Sequence, residues 1–179
     1  MGQLMTRRLV LRPLRGEDSE PICRLMKNFE VRRWLIRPPE PYTRLDADAF
    51  IETAHAKRKS AEHCFLAITL ADGKDFVGLI AVEPGEGGPE LGYWLGQSYW
   101  GRGLMTEAAR VVARKFFAKP VNNVLRAGYI SGNEASAAIQ RKLGFQIVGN
   151  RRKASRPLGH DVWCVETQLT RAHYEAFKS

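Results

Sequence analysis

The sequence predicts an α+β fold: one domain in which strand-like and helix-like segments alternate around a mixed, mostly antiparallel sheet of about seven strands. Three observations predict it. Strand and helix periodicities alternate from Leu9 to Leu169 with no shift in composition that would mark a linker. The pair Asp72-Gly73, within 71–74 and between two apolar runs, is a hairpin signal. Gly101 and Gly103 stand directly before an amphipathic stretch, the mark of a strand-to-helix turn.

Residues 9–14 alternate as a strand, and 18–26 read as a helix with acidic residues in its first turn. Pro38, Pro39 and Pro41 make 38–41 a loop, because proline lacks a ladder donor and disfavours helix in the residue before it. A helix over about 44–59 follows, then strands over 65–70 and 76–82. Residues 83–89, rich in Pro and Gly, read as a loop. The strand 90–95 runs into the glycine turn. The next helix places Met105, Ala108, Ala109, Val112 and Phe116 on one face, a core stripe. Residues 124–130 form a strand and 134–143 a helix, and 145–152 with 162–169 form the closing pair. The domain is assigned to 1–179, with its core over about 7–170.

Composition sets the outer bounds. A chain of 179 residues, 44% hydrophobic, buries a core without staples. Cys23, Cys64 and Cys164 show no paired spacing, and His55, His63, His160 and His173 no ligand spacing, so neither a disulfide framework nor a metal site is expected. No apolar signal segment or membrane-length run is present, which makes a cytoplasmic protein with no membrane partner the expectation. Lys and Arg number 28 against 19 Asp and Glu, a formal net charge of +9. That balance favours polyanionic partners without specifying a nucleic-acid sequence.

The run Tyr99-Trp100-Gly101-Arg102-Gly103-Leu104-Met105-Thr106 carries the chemistry. Glycines ahead of a helix expose unpaired N–H groups at the positive end of the helix dipole, a site for a phosphate-bearing ligand. A third glycine at dinucleotide spacing is missing, and so is the Gly-Lys-Ser/Thr of a triphosphate loop. Further on, Asn133 is a natural N-cap, with Glu134 in the first turn. Gly144 ends the same helix, and Phe145 starts a strand into the core.

Together with Thr6-Arg7-Arg8-Leu9-Val10-Leu11-Arg12-Pro13-Leu14, Glu90-Leu91-Gly92-Tyr93-Trp94-Leu95, Asn133-Glu134-Ala135-Ser136 and Lys142-Leu143-Gly144-Phe145, this run resembles the GNAT superfamily of acyl-coenzyme A transferases, in its RimJ/RimL-like branch. The superfamily's loop, Gln/Arg-x-x-Gly-x-Gly/Ala, falls on Trp100, Gly103 and Met105, where only the middle glycine matches. The resemblance implies acetyl-CoA as cosubstrate, no metal, and a sheet that splits between its fourth and fifth strands to admit the pantetheine arm. Its coenzyme-binding residues fall on Trp94, Leu95, Gly96, Trp100, Gly101, Arg102, Gly103, Leu104, Met105, Thr106, Asn133, Ser136 and Lys142. Glu90 takes the part of general base, Ser136 that of the acid for the departing thiolate, and a backbone N–H near Leu95 that of the oxyanion donor. Many members place a tyrosine seven residues after that asparagine; here the position is Gln140.

The acceptor's lips are assigned to Trp34, Pro38, Pro39 and Tyr42 on one side and Lys153 to His160 on the other, so Trp34, Tyr42, Glu90 and His160 are the expected substrate contacts. The implied reaction is acetyl transfer to a primary amine by direct attack, the acceptor being a protein or peptide N-terminal α-amine of the ribosomal-protein type. The alternatives are a small-molecule amine (amino acid, polyamine or antibiotic), a larger acyl group such as succinyl, or a non-catalytic acyl-CoA-binding module. Monomer and homodimer are both compatible with the sequence.

Overall fold

A computed structural model describes residues 2–58, 63–71 and 75–177. Its strands are β1 (Leu4–Met5), β2 (Leu9–Pro13), β3 (Cys64–Leu70), β4 (Phe76–Gly85), β5 (Gly88–Leu95), β6 (Val124–Ile130), β7 (Gln146–Ser155) and β8 (His160–Thr170). Its helices are α1 (Ser19–Met26), α2 (Phe29–Arg32), α3 (Arg44–Lys57), α4 (Leu104–Phe117), α5 (Glu134–Leu143) and α6 (Arg171–Ala176). The strands form a single sheet in the order β1-β2-β3-β4-β5-β6-β8-β7, antiparallel at every pairing except β5 with β6.

Period-two alternation divides the apolar side chains between two cores, one on each face of this sheet. On one face Leu9, Leu11, Leu66, Ile80, Leu91 and Leu125 meet the buried stripe of α4, where Met105, Ala108, Ala109, Val112 and Phe116 all lie as their spacing requires. On the other, Ala67, Phe76, Leu79 and Ala81 meet Ile22 and Met26 of α1 and Ala47 and Ile51 of α3. Each fully buried Leu, Ile, Val or Phe contributes about 1.5–3 kcal/mol of transfer free energy. Two cores of this kind hold the sheet rigid between helical layers.

Helix ends follow their caps. The Thr43 side chain accepts from the Asp46 amide while Asp46 accepts from the Thr43 backbone, a capping box that starts α3. Asp18, 2% exposed, accepts from both Arg12 Nη1 and Nη2 at 2.7 Å and from the Arg15 amide at 2.8 Å, which joins β2 to the start of α1. The Arg12 guanidinium is held above its ordinary pKa, mainly by this bond to Asp18.

The segment expected to be a loop over 83–89 is instead the end of a long hairpin: Glu83 pairs with Glu90, Pro84 with Pro89 and Gly85 with Gly88. The two prolines stand opposite each other, so their missing donors fall on one pair, and an antiparallel ladder leaves alternate pairs unbonded. Gly87, at φ 93°, makes the tight turn. Three short elements, β1, α2 and α6, have no counterpart in the sequence reading, and the sheet has eight strands. The Asp72-Gly73 turn and the end of the helix expected at Lys59 fall outside the described residues.

Candidate active site

The pairing of β5 with β6 covers only Glu90 with Arg126 and Leu91 with Ala127, after which the strands part. A cleft of about 420 Å³ opens there. Its walls come from both faces of the sheet: Met105, Thr106 and Ser136 from α4 and α5 on one, Val31, Trp34 and Leu35 from α2 and the segment after it on the other. The cleft therefore passes through the sheet at the split.

At one mouth, the glycine turn precedes α4. Gly101 and Gly103 have φ of 71° and 72°, left-handed values that let the chain reverse before Leu104. The first helical bond runs from the Glu107 amide to the Gly103 carbonyl, and among the described residues no protein acceptor takes the amides from Gly101 to Thr106. Those amides and the dipole of a helix of 14 residues suit a pyrophosphate. Trp100 does not reach toward this point: its indole Nε1 donates to the Leu95 carbonyl at 2.8 Å. Arg8 fixes the turn from the side, bonding Glu107 through Nε at 2.7 Å and the Arg102 carbonyl through Nη1 at 2.9 Å.

On the same face, the Asn133 side chain caps α5 by accepting from the Ser136 amide at 3.1 Å. Ser136, 8% exposed, lines the cleft, and its Oγ lies 2.9 Å from the Tyr93 hydroxyl. Burial pushes the Tyr93 phenol above its ordinary pKa, against bonds with Ser136 and Gln140 that draw it down. Glu90 and Trp94 leave β5 on the opposite side from Leu91, Tyr93 and Leu95: Leu91 and Leu95 belong to the α4 core, while Trp94 packs on the α1 core. Glu90 also lines the cleft, half-buried.

Of the residues singled out in the sequence, the cleft brings together Trp34, Glu90, Trp94, Leu95, Trp100, Gly101, Gly103, Leu104, Met105, Thr106, Asn133, Ser136 and Lys142. Four of the expected coenzyme and substrate contacts are not among its lining residues, and neither are Pro38 and Pro39 of the assigned lip. Tyr42 is 7% exposed inside the α1 core, where burial raises its phenol pKa. His160 is exposed at the start of β8, its ring Nδ1 beside the Asp161 carbonyl. Arg102 is exposed and offers its carbonyl to Arg8. The Gly96 amide is spent on the Val77 carbonyl. Residues 153–155, expected in the lip, belong to β7, in which Arg151 pairs with Glu86 and Glu166, and Arg152 with Asp161. Lys153, assigned to the second lip, does line the cleft, while sequence reasoning missed Tyr93, Tyr129 and Cys164 as lining residues. Only the period-two phase of β5, which separates Tyr93 from Glu90, could have marked the first of these.

The profile of the acetyltransferase (GNAT) domain matches residues 8–146 of the chain. The chain belongs to the GNAT acetyltransferase family. Among its relatives, the uncharacterized N-acetyltransferase p20 of Bacillus licheniformis is 24% identical over 163 residues, 89% of this chain and 90% of p20. RimJ of Mycobacterium smegmatis, solved with CoA-disulfide, superposes with a TM-score of 0.77 at 19% identity, covering 92% of this chain and 82% of RimJ. The ribosomal-protein-S5-alanine acetyltransferase of Vibrio fischeri gives 0.73 at 17% identity, covering 95% and 97%. At these identities the two structures establish the fold alone. This GNAT enzyme is an acetyl-CoA-dependent N-acetyltransferase. No group of His, Cys, Asp and Glu that could hold a metal ion occurs among the described residues, and none of their helices is long and apolar enough to cross a membrane.

Proposed function

We propose that the enzyme moves the acetyl group of acetyl-CoA to the α-amine of a protein or peptide N-terminus, of the ribosomal-protein type. The observation that carries this reading is the passage of the cleft through the sheet, with the free amides of 101–106 on the α4 face and Glu90 directed to the other. A chain end entering beside Trp34 meets Glu90 without crossing the coenzyme's path.

Acetyl-CoA supplies an activated acyl carbon as its thioester. The amides from Gly101 to Thr106 hold the pyrophosphate, with Lys142 at the same mouth, and Asn133 and the edge of β5 from Trp94 to Leu95 align the pantetheine arm. Glu90 takes the proton of the incoming amine, and Ser136, on the other side of the strand, donates to the sulfur as the C–S bond breaks and the C–N bond forms. An α-amine titrates near about 8 and presents a usable neutral fraction at neutral pH, whereas a lysine near about 10.4 does not without desolvation. An α-amine therefore suits a carboxylate base.

The name of the Vibrio fischeri neighbour, a ribosomal-protein-S5-alanine acetyltransferase, supports a ribosomal-protein acceptor. The test is a panel of peptides with free N-termini, assayed beside a polyamine and an aminoglycoside for thiol release from acetyl-CoA and for product mass. Acetylation at the peptide α-amine is the expected result. Efficient acetylation of the small amines with no peptide accepted would falsify the reading, and so would thiol release from none of them while acetyl-CoA binds.

A further inference from the structure

Four polar side chains meet beneath the coenzyme side of the cleft: Tyr93 from β5, Ser136 and Gln140 from α5, and Thr167 from β8. Gln140 is 1% exposed and Thr167 3%. Their hydrogens go to one another and to two backbone carbonyls, that of Gly128 and that of Ala127, which lies 3.1 Å from Thr167 Oγ1 and shares its hydrogen with Gln140.

The Gly128 carbonyl fixes the direction of the chain. It lies 3.3 Å from the Gln140 amide nitrogen and can only accept, so the Gln140 oxygen faces Thr167, whose hydroxyl donates to it at 2.6 Å. The second amide hydrogen of Gln140 reaches the Tyr93 oxygen at 3.3 Å, with Ser136 Oγ close behind at 3.4 Å. Tyr93 then has one hydrogen to give, and Ser136 Oγ at 2.9 Å is its nearest acceptor. Ser136 is left with its own hydrogen unspent, and the space remaining to that hydroxyl is the cleft it lines.

We propose that Tyr93 is a positioning residue: the ordered chain from Thr167 through Gln140 and Tyr93 turns the Ser136 hydroxyl hydrogen toward the sulfur of coenzyme A. The inference rests on the placement of Ser136 at the sulfur under the proposed function. No proton travels along the chain. The electron pair of the broken C–S bond stays on sulfur, Ser136 stabilises that thiolate by a hydrogen bond, and the thiolate takes its proton from water on release. Tyr93 keeps its hydrogen because burial disfavours a phenolate. The strand thus does by hydrogen-bond order what a tyrosine at position 140 would do directly.

The experiment needs no acceptor, because coenzyme A itself is the probe. The thiol of bound coenzyme A is titrated by the ultraviolet absorbance of its thiolate in wild type, Ser136→Ala, Tyr93→Phe and the double variant, with melting temperatures checking the fold. A donor aimed at the thiolate lowers the thiol pKa, so Ser136→Ala should raise it by about one unit. Tyr93→Phe should raise it in the same direction, and in the Ser136→Ala background it should add nothing. Thr167→Val, which frees the Gln140 amide, should give a smaller rise and carries the test if Tyr93→Phe does not fold. If Ser136→Ala leaves the thiol unmoved, both the placement of Ser136 and the chain proposed here fail. If Ser136→Ala moves it while Tyr93→Phe and Thr167→Val do not, or if Tyr93→Phe acts equally without Ser136, only the proposal about Tyr93 is overturned.

Discussion

The indole N–H of Trp100 donates to the carbonyl of Leu95 at 2.8 Å, which ties the glycine turn to the last residue of β5. At this position the superfamily's loop pattern has a glutamine or arginine; here the side chain braces the loop from within. The indole ring is still 39% exposed, so the hydrogen bond rather than burial sets its place. Trp100→Phe keeps the ring and loses the donor. It should weaken acetyl-CoA binding by about fivefold, on the order of the 1 kcal/mol of one hydrogen bond, with little change in melting temperature. Titration of the two proteins with acetyl-CoA measures this directly.

Gly103 has room for a side chain but not the conformation for one. A Cβ there would come no nearer than 3.6 Å to Arg8 Nη2, yet φ is 72°. Gly103→Ala should therefore cost about 1–2 kcal/mol of backbone strain. Gly103→Pro, whose ring forbids positive φ, should abolish the rise in melting temperature that acetyl-CoA gives by mass action. A preserved acetyl-CoA shift in the proline variant would remove this turn from the coenzyme site.

Glu90→Gln keeps the shape of the site and removes a proton acceptor. Turnover should fall about 100-fold or more, with acetyl-CoA affinity and melting temperature unchanged. Steady-state rates at saturating acetyl-CoA check it, and wild-type turnover across pH 6–9 would place the base elsewhere.

Asp18 is buried against Arg12, and Asp18→Asn leaves that guanidinium without its counter-charge. The expected loss is about 3 kcal/mol. In a chain of this size that is roughly 6–12 °C in melting temperature, which calorimetry reads.

Hydrogen bonds from the Thr43 hydroxyl and amide hold the Asp46 carboxyl below its ordinary pKa. Its folded value thus lies under its unfolded one, so its stabilisation is present above the ordinary aspartate range and disappears as pH falls through the folded value. Thr43→Ala should melt below wild type at neutral pH and approach it in acid. A constant gap in melting temperature between the two proteins down to about pH 2 would contradict this account.

The glycine turn and the helix cap of the candidate site were legible because their signals are local. Glycines at 101 and 103 before a periodic helix, and an N-cap at Asn133, are each written within a few consecutive residues. Position 140 was legible only as a departure, since nothing in the sequence says that Tyr93 of a distant strand faces it. Tyr42 misled for the opposite reason: an aromatic beside prolines reads as a lip, and only packing against α1 and α3 shows it to be core. The hairpin through Pro84 and Pro89 was hidden because proline argues against a strand until its partner across the ladder is known.

The parting of β5 and β6 after Leu91 gives the sheet two inner edges that face each other across the cleft. Exposed edges invite pairing with other chains. These two lie beneath α4 and α5, and an extended ligand with amides of its own suits them. Binding of such a ligand would complete the ladder as an added strand does. Slowed hydrogen exchange in the Gly92 to Leu95 stretch on adding coenzyme A would record that closure, independent of any acyl group or acceptor.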